Sequence, residues 1–139
     1  MLTAKKIVLV IDDQKSFRGI YRDNLERAGY EVIDAENGMI GMEKLQQHPK
    51  IDLVLLDIAM PLKSGVEVLT EMRKTPSYKD IPVIVLSVFD ERVRFYDDVV
   101  KLGISGYFVK GRGSLDELME AINKILGGNL IKLDPELKK

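Results

Sequence analysis

An α/β fold, a single-domain (βα)5 doubly wound parallel sheet, is what the sequence predicts, and three observations carry that prediction. Short β-branched apolar runs alternate with longer segments of helical period along most of the chain. The runs are continuously apolar, as strands buried on both faces of a parallel sheet are. Each helical segment is long enough to supply the crossover that parallel neighbours need. The length, 139 residues, suits one core, expected over residues 1–127, with residues 128–139 as a tail or the start of a linker.

The elements follow in order. Ile7-Val8-Leu9-Val10-Ile11 is the first strand, ending at Asp12. Phe17, Ile20, Tyr21, Leu25 and Ala28 share helical spacing within a helix over Ser16 to Ala28, and Gly29 is placed to end it. Tyr30 to Ala35 is a second strand. Asn37 caps a second helix that runs through Leu45 and stops before His48-Pro49. Leu53 to Leu56 forms a third strand closed by Asp57, and Gly65 to Arg73 a third helix. Val83 to Leu86 forms a fourth strand closed by Ser87. Asp90 caps a helix over Glu91 to Leu102, with Gly103 just past its end. Ile104 to Val109 is the fifth strand, closed by Lys110. Ser114 and Glu117 form a capping box for a last helix over Leu115 to Leu126.

Composition narrows the function. Apolar residues make up 45% and charged residues 31%, an ordinary soluble balance. The 21 basic and 22 acidic residues nearly cancel, so neither direct nucleic-acid binding nor an anionic membrane surface is expected. With no cysteine there is no disulfide framework, zinc-thiolate site or thiol nucleophile. Five apolar residues near the amino terminus are too few for a signal-peptide core or a membrane span. A soluble, cytoplasmic protein is the expectation.

The polar residues that interrupt the apolar pattern sit at strand ends: Asp12-Asp13 after the first, Asp57 after the third, Ser87 after the fourth, Lys110 after the fifth. In a parallel sheet these places share one edge, where open α/β sheets bind ligands. Three carboxylates packed there repel one another unless a cation sits among them. Hard oxygen ligands suit Mg²⁺, which often bridges to phosphate. An aspartate nucleophile, a metal, a lysine and a hydroxyl donor are what phosphoryl transfer needs. Taken singly each residue has a plainer reading. Asp12-Asp13 could be a solvated capping pair, Ser87 a structural hydroxyl, Lys110 a surface charge.

Together the motifs resemble the receiver domain of two-component response regulators, over about Lys5 to Leu126. The resemblance rests on Val10-Ile11-Asp12-Asp13, Leu55-Leu56-Asp57-Ile58-Ala59-Met60-Pro61, Ser64-Gly65, Ile81 to Ser87, and Gly103 to Lys110. It implies a flavodoxin-like strand order 2-1-3-4-5. Asp57 would accept a phosphoryl group from a sensor histidine kinase or phosphotransfer protein. Asp13 and Asp57 would bind Mg²⁺ with the Ala59 backbone carbonyl, and Asp12 mainly through water. Lys110 would pair with the phosphoryl group, and Ser87 would swing to it and let Tyr107 move inward. That would reshape the face of the fourth helix, fifth strand and last helix, toward a downstream protein, an effector domain or a homodimer.

Several features depart from the family pattern. Gly111-Arg112-Gly113 follows Lys110 where proline is common, which disfavours a cis peptide and leaves a more flexible loop. Val88 stands where a smaller residue is usual, and Ala59 and Phe89 replace polar residues that often orient the attacking water. Slow loss of phosphate is therefore expected. On the fourth helix, Phe95 and Val99 are the apolar excess expected to form an exposed contact patch. The domain is not expected to be an enzyme on an external substrate. A small Mg²⁺-dependent aspartate phosphatase would need a second Asp two residues after Asp57, where Ala59 stands. A phosphorylation-independent interaction module with a decayed site is the other alternative. The tail resembles the segment that joins receivers to helix-turn-helix domains, so a stand-alone receiver and a piece of a longer regulator both remain open.

Overall fold

The computed structural model describes residues 4–111 and 115–127. Five strands, β1 (Ile7–Ile11), β2 (Glu31–Ala35), β3 (Leu53–Asp57), β4 (Val83–Ser87) and β5 (Gly106–Val109), alternate with five helices. The helices are α1 (Lys15–Arg27), α2 (Gly38–Gln47), α3 (Gly65–Lys74), α4 (Phe89–Leu102) and α5 (Leu115–Ile125). All strand pairs are parallel, in the order β2-β1-β3-β4-β5. The expected (βα)5 architecture and strand order are what the chain adopts.

The strands are apolar throughout because the pleat sends alternate side chains into two separate cores. Leu9, Ile11, Val54, Leu56, Val83 and Val85 join Val68, Leu69 and Met72 of α3 and Val99 of α4. Val8, Val10, Leu53, Leu55, Ile84 and Leu86 join Tyr21 and Leu25 of α1 and Leu118 and Ile122 of α5. One helix layer therefore contains α3 and α4, the other α1 and α5. Among the described residues, no helix is long and apolar enough to cross a membrane.

Helix ends follow local chemistry where the sequence predicts them. Asn37 accepts a hydrogen bond from the Ile40 amide at 2.8 Å and caps α2. Past α1 and α4, Gly29 and Gly103 take φ of 98° and 93°, a region costly for other L-residues. A capping box of Ser64 and Glu67 starts α3.

Three expectations need correction. Helix α4 begins at Phe89, so Asp90 lies inside its first turn rather than capping it. Strand β5 begins at Gly106, not Ile104, because the chain is still leaving the Gly103 turn; the Ser105 amide donates to the Val83 carbonyl at 2.8 Å just before the strand. The contact patch expected at Phe95 and Val99 does not form as such, with Val99 inside and Phe95 half-buried. Val99 is fully buried and Phe95 packs against the same core, while Tyr96 and Val100 are the exposed apolar side chains among those of α4 that are described. The phase of α4 against the sheet decides this, and the apolar count alone does not reveal it. The expected Ser114 cap, Arg112, Gly113 and the tail over 128–139 lie outside the described residues.

Candidate functional site

The carboxyl ends of β1, β3, β4 and β5 bring together the residues expected there. Asp12 is fastened beside β2 by its amide bond to the Ala35 carbonyl, and Lys110 beside β4 by its amide bond to the Ser87 carbonyl. Asp57 ends β3. The next residue, Ile58, bonds through its amide to Leu86 and through its carbonyl to the Gly65 amide. Gly65 is required by closeness: a Cβ there would lie 2.3 Å from the Asp57 carbonyl oxygen and 2.7 Å from the Ile58 Cα. Helix α3 thus starts against the backbone of Asp57. The loop before it holds one left-handed residue, the exposed Leu62, with φ of 70°.

Asp12 and Asp57 are buried and Asp13 is exposed; one carboxylate oxygen from each lies within 4.8 Å of the others. The buried cation among them is Lys110. Its Nζ lies 2.9 Å from Asp12 Oδ2 and 3.4 Å from Asp57 Oδ2. It donates to Asp12 Oδ1 at 3.1 Å and to Gln14 Oε1 at 2.7 Å. The Phe17 ring lies beneath it, centroid at 4.5 Å. Despite its short ionic contact, Asp12 Oδ2 accepts no hydrogen bond among the described residues. Burial, with the Asp12 charge next, pushes the Asp57 carboxyl up to about 8. Lys110 opposes that rise, and Asp13, within hydrogen-bonding reach, adds to it. Burial, then Asp12 and Asp57, also raises the Tyr21 phenol.

This donor set fits a hard divalent cation. Three carboxylates converge, one buried oxygen lacks a hydrogen-bond donor, and one lysine cannot balance three negative charges. The exposed bend after β3 holds Ala59.

Ser87 and Tyr107 form a separate pair. The Ser87 hydroxyl is buried and donates to the Tyr107 hydroxyl at 2.8 Å. Tyr107 packs with the α3–α4 core and meets Tyr96 of α4 edge-on, with centroids 5.2 Å apart. The Lys110–Gly111 peptide is trans, and Gly111 takes φ of 72°. Val88 is exposed.

Sequence reasoning missed Gln14, Phe17 and Arg18, whose Nη1 donates to the Asp12 carbonyl at 2.8 Å. A glutamine where a helix start favours Ser, Thr, Asp or Asn was the signal available for Gln14.

The family model for the response regulator receiver domain matches residues 8–123. The chain belongs to that family. It is 30% identical over 123 residues to chemotaxis protein CheY1 of Helicobacter pylori, covering 88% of this chain and 98% of CheY1. To the sensor histidine kinase CheAY of the same species it is 36% identical over 107 residues, 75% of this chain and 13% of CheAY. The crystal structure of TrrA from Thermotoga maritima, in complex with Mg²⁺ and BeF, superposes with a TM-score of 0.74 at 36% identity. That match covers 86% of this chain and 98% of TrrA. Receiver domains act between histidine kinases and downstream effectors, and accepting a phosphoryl group is general to the family.

Proposed function

We propose that Asp57 is the phospho-acceptor of this receiver domain, and that its modification switches the α4-β5-α5 face. The observation that carries the reading is the buried Asp57 carboxylate at the end of β3, facing Lys110 across 3.4 Å with Asp12 and Asp13 beside it. A carboxylate oxygen of Asp57 attacks the phosphorus of a phosphohistidine on a kinase or phosphotransfer protein. The new O–P bond forms as the P–N bond breaks, and the imidazole leaves with the electron pair. Asp13, Asp57 and the Ala59 carbonyl would hold Mg²⁺, with Asp12 acting mainly through water, and the bound ion would supply charge neutralisation for the transfer. Lys110 pairs with the phosphoryl group.

Ser87 links chemistry to output. Its hydroxyl is held by Tyr107 in the unmodified chain. Turning toward a phosphoryl group ends that bond, and Tyr107 then repacks against α4. The phosphoryl group favours one of two arrangements already open to the chain. The domain acts on no external substrate, and its partners are a histidine kinase and a protein or effector domain that reads the switched face. A kinase that draws on ATP places it in the cytoplasm. Slow hydrolysis fits the apolar Ala59 beside the acceptor.

Acetyl phosphate with Mg²⁺ tests this by intact mass and backbone NMR. The expected result is a labile gain of one phosphoryl group, absent in Asp57→Asn, with shifts spreading to Ser87 and Tyr107. A folded wild-type chain that binds Mg²⁺ and gains nothing overturns the reading.

A further inference from the structure

We infer that Gln14 is a positioning residue for Lys110, holding the ammonium so that one of its N–H groups stays available to the phosphoryl oxygens on Asp57. This rests on Asp57 being the acceptor.

Gln14 stands at the N-cap of α1 with extended backbone, φ −94° and ψ 111°, but its side chain caps nothing. At the same edge, Asn37 and Ser64 spend their side chains on the first turns of α2 and α3. The Gln14 amide oxygen instead accepts from Lys110 Nζ at 2.7 Å, the shortest of that nitrogen's polar contacts. The Gln14 backbone amide donates to Asp12 Oδ1 at 2.9 Å, the same oxygen to which Lys110 donates. A closed ring of Asp12, Gln14 and Lys110 results. Helix α1 thus starts with its N-cap side chain committed to the site.

An ammonium has three N–H donors. Gln14 and Asp12 take two and leave one for the Asp57 side, where Asp57 Oδ2 is at 3.4 Å. The Phe17 ring closes another approach to Nζ. Four rotatable bonds let a lysine ammonium wander; the ring fixes its direction before any phosphoryl group arrives. Pre-set donors of this kind assist transfer because no reorientation is needed as charge develops. Gln14 supplies this anchor without adding a fourth carboxylate to the pocket.

The test uses the full chain, with Gln14→Met, which keeps length but lacks the acceptor, and Gln14→Ser, which can cap α1 but is too short to reach Lys110. Two quantities are measured: the rate of phosphorylation by acetyl phosphate with Mg²⁺, and the sharpness and exchange protection of the Lys110 Nζ resonance in unmodified protein. Both variants should phosphorylate roughly tenfold more slowly, the size of one hydrogen bond to a charged group, and both should lose the protected Nζ signal. Gln14→Glu, which retains an acceptor of the same reach, should restore that signal. If Gln14 merely starts α1, Gln14→Ser will phosphorylate at the wild-type rate with an unchanged Nζ resonance, and the inference fails. Loss of the Nζ signal with no change in rate also overturns it. A wild-type chain that takes no phosphoryl group removes the acceptor reading, and this inference with it.

Discussion

The two edges of the sheet use polar side chains in opposite ways. At the amino ends of the strands, Arg73 of α3 spreads its guanidinium over four backbone carbonyls. Nε reaches Leu102 and Gly103, Nη1 reaches Lys79 and Ile81, and Nη2 reaches Gly103, at 2.8–3.2 Å. Asp52 accepts from the Ile7 amide at 2.8 Å. Each of these side chains bonds backbone groups of another segment, and so ties segments together. At the carboxyl ends, three acids converge beside one buried lysine that pairs with Asp12 and Asp57, an Asp12 oxygen has no hydrogen-bond donor among the described residues, and the Asp57 carboxyl resists ionisation. One edge uses polarity to hold the fold, the other keeps a charge conflict that a cation and a phosphoryl group can use. The difference teaches that burial of a charge is not by itself a sign of stability.

Breaking the structural edge should have the largest effect. Arg73→Ala is expected to lower the unfolding free energy by about 3 kcal/mol, through the loss of one charged donor to four carbonyls, two of them, Leu102 and Ile81, part-buried. Urea titration measures it. Arg73→Lys should recover little, since an ammonium cannot fork to both segments as a guanidinium does. A loss as small as that of an ordinary surface residue would erase the contrast between the edges.

Relieving the conflict at the other edge should do the reverse. Asp57→Asn, without divalent cations at neutral pH, is expected to stabilise the chain by about 1–2 kcal/mol. The folded Asp57 carboxyl is raised to about 8, above an unfolded value of about 3.9. The folded state therefore binds this proton more tightly, and the group's contribution to stability falls as pH rises from about 4 to about 8. Its slope is at most about 1.4 kcal/mol per pH unit. Melting curves across that range should show the decline in the wild type, a smaller one in Asp57→Asn, and a smaller one again when Mg²⁺ favours the ionised form. A wild-type curve that matches Asp57→Asn at every pH would remove the conflict from the account.

The smallest effect belongs to the loop beside the site. Leu62 holds a left-handed backbone that suits Asn better than Leu. Leu62→Asn should raise the melting free energy by about 0.5 kcal/mol with the phosphorylation rate unchanged, and a loss of stability would show that the exposed leucine packs in a way its surface position does not reveal.

Much of this was legible in the chain because the chemistry of each signal is local. Leu53 to Leu56 and Val83 to Leu86 are buried on both faces, so they read as unbroken apolar runs. Gly29, Asn37 and Gly103 mark helix ends by backbone freedom or a short acceptor side chain. Asp12, Asp57, Ser87 and Lys110 were found because each interrupts a strand at the same edge. What stayed hidden depends on packing. The first residues of α4 and β5 and the exposed side of α4 follow from how that helix lies on the sheet, which placed Val99 inside and Tyr96 outside. Gln14 and Phe17 meet Lys110 across more than ninety residues, and no spacing rule joins an amide, an aromatic ring and a lysine at that distance.

Gly65 has a consequence for descent. Replacing the Ser87 hydroxyl by a hydrogen, as alanine would, asks nothing of the backbone. Even a methyl group at position 65 overlaps the carbonyl of Asp57, so a change there displaces the acceptor's backbone in one step. A chain that kept the acidic set but carried a side chain here would therefore hold its acceptor out of place.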